Sequence, residues 1–315
     1  MTQTAVLLMA YGGPNSLEDV EPYLLDVRGG RQTPPELVAE VRARYARIGG
    51  RSPLLAVTLR QARALEAQLN AQGGRYRVYV GMRHWFPYIH EAVAQMVADG
   101  QQDVVALCMT PHFSRLSVGA YFRKLQEAQE ELGSHLNVTP ISAWHDQPLF
   151  IGAMAEKVQA VLSRFPQTER EGVRILFTAH SLPATLVEQG DPYEAQLQET
   201  SHLLAQRLSL PDDAWQFCYQ SMGASNGRWL GPAIEEVVVD LAKRGHRNLL
   251  VVPIGFVADH VEVLYDIDIE CRTLAAEHGA RLERTESLND SPLFIQALAR
   301  VVRQVSPAKE VQPAS

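Results

Sequence analysis

Short runs of apolar and β-branched residues alternate along the chain with longer stretches whose apolar positions recur three and four residues apart. The runs predict strands over 5–10, 76–82, 103–109, 138–142, 173–179, 216–220, 248–254 and 280–284. The stretches between them predict helices over 17–26, 35–47, 54–71, 87–98, 118–132, 149–165, 192–208, 232–244, 259–277 and 292–305. Several of these open at a proline, whose fixed φ suits the first helical turn. Strands that are apolar throughout, alternating with helices, predict an α/β fold of parallel sheets covered on both faces. The pattern divides near 145–170 with four strands on each side, which predicts two domains, 1–150 and 151–315. The polar tail, 306–315, carries two prolines and is expected to fray.

The strongest chemical signal lies in the predicted helix 259–277. There Glu262, Asp266 and Glu270 fall at i, i+4 and i+8, with Asp259 one turn before and His260 at the head of the column. Like charges four apart cost an isolated helix about 0.2–0.5 kcal/mol per pair, so the column invites a cation. A solvated helix face is the competing explanation, and Asp259 alone also suits the positive end of the helix dipole. That second explanation does not reach Asp266 and Glu270, which lie two and three turns in. Val263, Ile267, Cys271 and Leu274 make the apolar side, so the carboxylates face water or a channel.

Two histidines sit just past strand ends, His112 in Thr110-Pro-His-Phe-Ser-Arg115 and His180 in Thr178-Ala-His-Ser-Leu-Pro183. Ligands of open α/β sheets bind outside the carboxyl ends of strands, so both histidines are expected to face a crevice between the domains. Imidazole with carboxylate suits Fe(II), Co(II), Ni(II) or Zn(II) better than Mg(II). The chain has no H-E-x-x-H, so any such ligands come from separate segments. His84, in Gly81-Met-Arg-His-Trp85, is a third strand-end histidine, of a kind more often structural than ligating.

Composition narrows the field. At 46% hydrophobic and 21% charged residues the chain reads as globular rather than disordered. A net charge of −7 gives no basic field for nucleic acid. Cys108, Cys218 and Cys271 stand far apart in apolar segments, which fits a reducing cytoplasm rather than a disulfide framework. The apolar run near the N-terminus lacks a basic flank, and no run reaches the ~20 apolar residues of a membrane span. The turn Tyr11-Gly-Gly-Pro14 lacks a dinucleotide fingerprint and a P-loop lysine. Residues 28–53 concentrate arginine and glycine, either a solvated surface loop or a set of anchors for carboxylates.

Taken together and in order, several of these segments resemble the ferrochelatases, enzymes that insert ferrous iron into a porphyrin at the end of haem synthesis. They are Arg28-Gly-Gly-Arg31, Gly50-Arg-Ser-Pro-Leu54, Pro111-His-Phe113, Phe177-Thr-Ala-His-Ser-Leu-Pro183, Trp229-Leu-Gly-Pro232 and the whole of 255–270. The resemblance implies two Rossmann-like domains with a porphyrin cleft between them and the last helix packing back on the first. It implies that His180 and Glu262 are the catalytic, metal-binding pair, and that Asp266 and Glu270 bind a second hydrated cation such as Mg2+. Tyr11 matches an axial tyrosine of the type acting on coproporphyrin III, and Arg28, Arg44, Tyr45, Ser52 and Tyr121 match or lie near residues that hold propionates. Fe2+ is then a substrate, and no [2Fe–2S] cluster is expected, since a single Cys271 near the C-terminus cannot hold one. A monomer in the cytoplasm, working beside other enzymes of haem synthesis, is implied. Relatives also carry a local π-turn around His260, which alters how the carboxylates stack. The alternatives are a protoporphyrin IX ferrochelatase, a cobalt or nickel chelatase, and a non-catalytic tetrapyrrole or metal carrier.

Overall fold

In the computed structural model, which describes residues 3–71, 73–223 and 227–306, the apolar runs form two four-stranded sheets. The first holds β1 (Thr4–Ala10), β2 (Tyr76–Met82), β3 (Asp103–Cys108) and β4 (Asn137–Ile141), in the order β2-β1-β3-β4. The second holds β5 (Arg174–His180), β6 (Trp215–Gln220), β7 (Asn248–Val252) and β8 (Arg281–Arg284), in the order β6-β5-β7-β8. Every pairing is parallel. Strand order reverses at β1 in one sheet and at β5 in the other, and such switch points open ligand crevices at the strands' carboxyl ends. Tyr11 follows β1, and His180 ends β5. The tail 307–315, the greater part of the segment expected to fray, lies outside the described residues.

The connections are α1 (Val20–Val27), α2 (Pro35–Arg47), α3 (Leu54–Asn70), α4 (Ile89–Ala98), α5 (Val118–Leu132) and α6 (Pro148–Leu162), followed by α7 (Ala184–Glu188), α8 (Tyr193–Leu208) and α9 (Ile234–Lys243). A π-helix (Glu262–Cys271), α10 (Arg272–Glu277) and α11 (Pro292–Val305) complete them. Successive side chains of β1 point to opposite faces. Ala5, Leu7 and Met9 pack on α4 and α5, whereas Val6 and Leu8 join a larger core. That core runs through α3, α6, α8 and α11 to Ile175 and Phe177 of β5, so one apolar mass backs both sheets. In α11 the stripe Phe294, Leu298, Val301 and Val302 is wholly buried, and the helix packs on α3, α6 and β4. On the far side of the second sheet, Leu176, Leu249 and Val251 pack on α9 and on Ile267 and Cys271 of the π-helix.

Two expectations are corrected. The segment 259–277 is not one α-helix from Asp259, because Glu262–Cys271 runs as a π-helix and α-helical bonding resumes at Arg272. Its i→i+5 bonds widen the turn, so residues four apart fall just short of a full turn instead of just past it. Both Glu262, Asp266, Glu270 and the buried Val263, Ile267, Cys271 keep that spacing, which a wider turn accommodates with little drift. Asp259 leaves the column and is held by Asn289, whose Nδ2 donates to Asp259 Oδ2 at 2.9 Å.

The second correction concerns His112, which does not face an open crevice. The loop after β3 abuts α8, and His112 is fully buried with Nε2 2.8 Å from Thr200 Oγ1. The Thr200 hydroxyl donates to a backbone carbonyl, so its oxygen accepts from His112 Nε2–H, and Nδ1 has no partner among the described residues. Burial, then the neighbouring His145, hold the His112 pKa well below that of a free imidazole. A proton taken up only by the unfolded chain destabilises the fold as pH falls through the unfolded pKa of about 6.5. Between pH 7 and 5.5 this one group is expected to remove about 1 kcal/mol of stability. Urea unfolding of the wild type and of His112→Gln at both pH values tests this, and a difference between the two proteins that does not change with pH would count against it.

Candidate active site

The β1 turn brings the first group of side chains together. A Cβ on Gly13 would lie 2.6 Å from Ser52 Oγ and 3.6 Å from the Tyr45 hydroxyl, so only glycine lets this turn seat against them. Ser52 is buried; its N–H donates to Pro14 O at 2.8 Å, and its Oγ accepts from Leu54 N at the start of α3. Tyr45 is buried in the last turn of α2. Tyr121 is buried in α5, whereas Tyr11 is 41% exposed. The Arg83 guanidinium lies 5.9 Å from the ring centre of Tyr11 and 5.8 Å from that of Tyr121, joining the two.

Across from these groups, His180 Nδ1 lies 3.0 Å from Glu262 Oε2. A carboxylate only accepts, so Nδ1 carries the proton and the neutral imidazole keeps Nε2 as its basic nitrogen. Tyr193 donates its hydroxyl to His180 O at 3.0 Å, and Gln220 Nε2 donates to Glu262 O at 3.0 Å, which fixes both backbones. Burial alone would raise the Glu262 pKa, but the charge and hydrogen bond of His180, with the charge of His260, outweigh it and hold the carboxyl at about 2. For His180, burial opposes protonation, yet Glu262 and the charge of Asp266 prevail and raise its pKa. Each side chain of the pair is a third exposed, so water screens these effects more than full enclosure would.

The field of Glu262 reaches tyrosines on both sides. Partial desolvation first, and then Glu262, push the Tyr11 hydroxyl up to about 12, and the same two causes raise Tyr45 and Tyr193. Tyr11 and Tyr45 come from the first sheet's connections and Tyr193 from the second's, so the carboxylate sits where the two halves face each other.

The π-helix carries the acidic side chains outward. Asp266 is buried, accepts from Ser221 Oγ and lies 3.6 Å from Arg44 Nη1. Burial first, and then Glu262 and Glu270, raise its pKa to about 6 against the lowering by Ser221 and Arg44. Glu270 is exposed and lines a shallow surface concavity with Glu235, Arg47 and Tyr265. Among the described residues no three histidine, cysteine or acidic side chains converge closely enough to hold an ion by themselves. Arg28 ends α1 with its Nε buried and without a hydrogen-bond partner among the described residues.

Apart from Arg28 at the end of α1 and the exposed Glu270, the candidate residues fall into three groups. His180 and Glu262 are in direct contact, Asp266 meets Arg44, and Tyr11, Tyr45, Ser52 and Tyr121 line the opposite side. Sequence reasoning passed over Arg83, Tyr193 and Ser221, and it read His84 as structural without its partner Asp26, whose Oδ1 lies 2.7 Å from His84 Nδ1. His84 also stacks on Tyr11 with ring centres 4.8 Å apart. The strand-end position of Arg83 and His84 after β2 was the available signal, whereas Ser221 and Tyr193 carry none without the fold.

The ferrochelatase family profile matches residues 3–306. The chain belongs to the ferrochelatase family. A ferrochelatase of Herpetosiphon aurantiacus is 44% identical over 301 residues, covering 95% of this chain and 98% of that one. A coproporphyrin III ferrochelatase of Bacillus subtilis is 40% identical over 300 residues, covering 94% and 96%. Among solved structures, SirB from Bacillus subtilis with Fe3+ superposes with a TM-score of 0.61 at 13% identity, covering 96% of each chain, which shows a shared chelatase-like fold. As a ferrochelatase, the enzyme takes Fe2+ and a porphyrin as substrates and serves haem biosynthesis. No helix among the described residues is long and apolar enough to cross a membrane.

Proposed function

We propose that this ferrochelatase inserts Fe2+ into coproporphyrin III, forming coprohaem. The observation that supports this porphyrin is the set of groups able to bind carboxylates, above all Arg28, whose buried Nε has no partner among the described residues. Arg44, Tyr45, Ser52 and Tyr121 complete the set, enough to engage the four propionates of coproporphyrin. The name carried by the Bacillus subtilis relative points the same way.

In this reading residues 1–150 hold the porphyrin and 151–315 supply the metal-handling pair, as a monomer in the cytoplasm beside other enzymes of haem synthesis. Two pyrrole protons must leave as Fe2+ enters. His180 Nε2 takes one pyrrole proton while its Nδ1–H stays bonded to Glu262, whose charge stabilises the imidazolium, and passes it to water before it takes the second. Asp266 and Glu270 lead from that pair towards the surface and hold a second cation such as Mg2+. Tyr11, protonated at its hydroxyl, serves the face of the ring opposite His180.

Anaerobic assays with Fe2+ and each porphyrin test the substrate. Hydrogen bonds to charged groups contribute about 1.5–3 kcal/mol each, so kcat/KM for coproporphyrin III is expected to exceed that for protoporphyrin IX by about tenfold or more. Faster turnover of protoporphyrin IX overturns the proposal.

A further inference from the structure

Arg44 and Asp266 lie 222 residues apart in sequence, on α2 and the π-helix, yet form an ion pair that crosses between the two halves. Arg44 Nη1 stands 3.6 Å from Asp266 Oδ1, close enough for attraction and too far for a good hydrogen bond. Its Nη2 donates to Glu40 Oε1 at 2.8 Å, and the guanidinium lies 5.2 Å from the ring centre of Tyr265. The Arg44 side chain is a third exposed, so an incoming ligand can reach it. Asp266 is nearly enclosed, and Ser221 is its other side-chain partner among the described residues.

We propose that Arg44 couples porphyrin binding to cation binding at Asp266, holding Asp266 while no porphyrin is bound and releasing it when a porphyrin carboxylate captures the guanidinium. This rests on the reading of Arg44 as a carboxylate-binding residue. A propionate offers two oxygens in the geometry that a guanidinium fork accepts, with shorter, charge-assisted hydrogen bonds than the 3.6 Å contact it replaces. Once Arg44 turns away, Asp266 loses its neutralising cation while Glu262 and Glu270 remain close enough to interact with it. The site then attracts a divalent cation more strongly, so the porphyrin raises metal affinity only when it is in place. Reciprocity requires that metal binding tighten porphyrin binding by the same factor.

Mn2+ is a suitable probe, its free aquo ion followed by electron paramagnetic resonance with and without metal-free coproporphyrin III. The porphyrin absorption spectrum must remain that of the free base throughout. For the wild type, porphyrin is expected to tighten Mn2+ binding about tenfold, within the usual range of coupling between sites. Arg44→Gln is expected to bind Mn2+ at the tighter level without porphyrin and to show no further gain. Asp266→Asn is expected to bind weakly in both conditions. Arg47→Gln removes the same charge from the other guanidinium over Tyr265, 5.5 Å from its ring centre, and is expected to retain the wild-type response.

Absence of a porphyrin effect in the wild type overturns the proposal. So does a full response in Arg44→Gln, or an equal loss in Arg47→Gln, which would mark a diffuse charge effect. The KM for coproporphyrin III separates the two levels of the argument. An unchanged KM in Arg44→Gln defeats the carboxylate reading, whereas a raised KM with an intact Mn2+ response defeats the exchange alone.

Discussion

Glu262→Gln is expected to lower kcat for iron insertion by about 10²- to 10⁴-fold while leaving the porphyrin KM within a few-fold, as for loss of a positioned acid–base group. The substitution keeps the size of the side chain and an acceptor for His180 Nδ1–H, so the geometry at 3.0 Å need not change. What it removes is the charge. Without that charge, burial dominates at His180, whose pKa is expected to fall from its raised position. The same His180 resonance, followed by NMR against pH, therefore reports the cause independently of turnover. His180→Ala is expected to cost a similar factor. The double variant should be little worse than either single one, because groups acting as a unit are not additive. Additive losses, or a Glu262→Gln enzyme with near-normal kcat, would remove the pair from the chemistry.

The second large effect is on stability, at Asp191. Its carboxylate is fully enclosed and joins the loop after β3 to the start of α8, across the two halves. Oδ2 accepts from Arg115 N at 2.8 Å and from Ser114 Oγ at 3.1 Å, both in the loop after β3, while Oδ1 accepts from Tyr193 N at the start of α8. The Arg115 side chain is half exposed at 3.6 Å, so its ion pair contributes little beside these hydrogen bonds. Asp191→Ala leaves several donors short of partners at about 1–3 kcal/mol for each that stays dry. The expected loss is about 3 kcal/mol, read as a lowered urea midpoint with an unchanged m-value. The Tyr193 hydroxyl holds His180 O, so kcat is also expected to fall in the folded variant. A loss below about 0.5 kcal/mol, the level of an ordinary surface change, would show that the seam is not held here.

The α/β architecture was legible because its cause is local. Continuous apolar runs such as Ala5–Ala10 can be buried on both faces only inside a covered parallel sheet, and each predicted strand overlaps an observed one. Proline was a less exact guide. Pro35 and Pro292 do open α2 and α11, but Pro87, Pro192 and Pro232 precede their helices, Pro148 opens α6 one residue before its expected start, and the short α7 went unread. The acidic column and its buried counterpart were visible too, since both repeat at four residues. An α-helix and a wider π-helix both tolerate that spacing, so the residues alone did not choose between them.

The sequence by itself determined the candidate groups, a strand-end histidine, a run of carboxylates and the arginines of the first half, together with the alternation that builds two sheets. Tertiary structure decided which of them meet. His180 and Glu262 are 82 positions apart, and their 3.0 Å contact depends on β5 and the π-helix packing beside each other. The same packing turned Asp266 towards Arg44, and the seating of α8 on the loop after β3 buried His112 although it too follows a strand. Periodicity reports only neighbours along one element, whereas a contact between elements is set by the shared core that orients them.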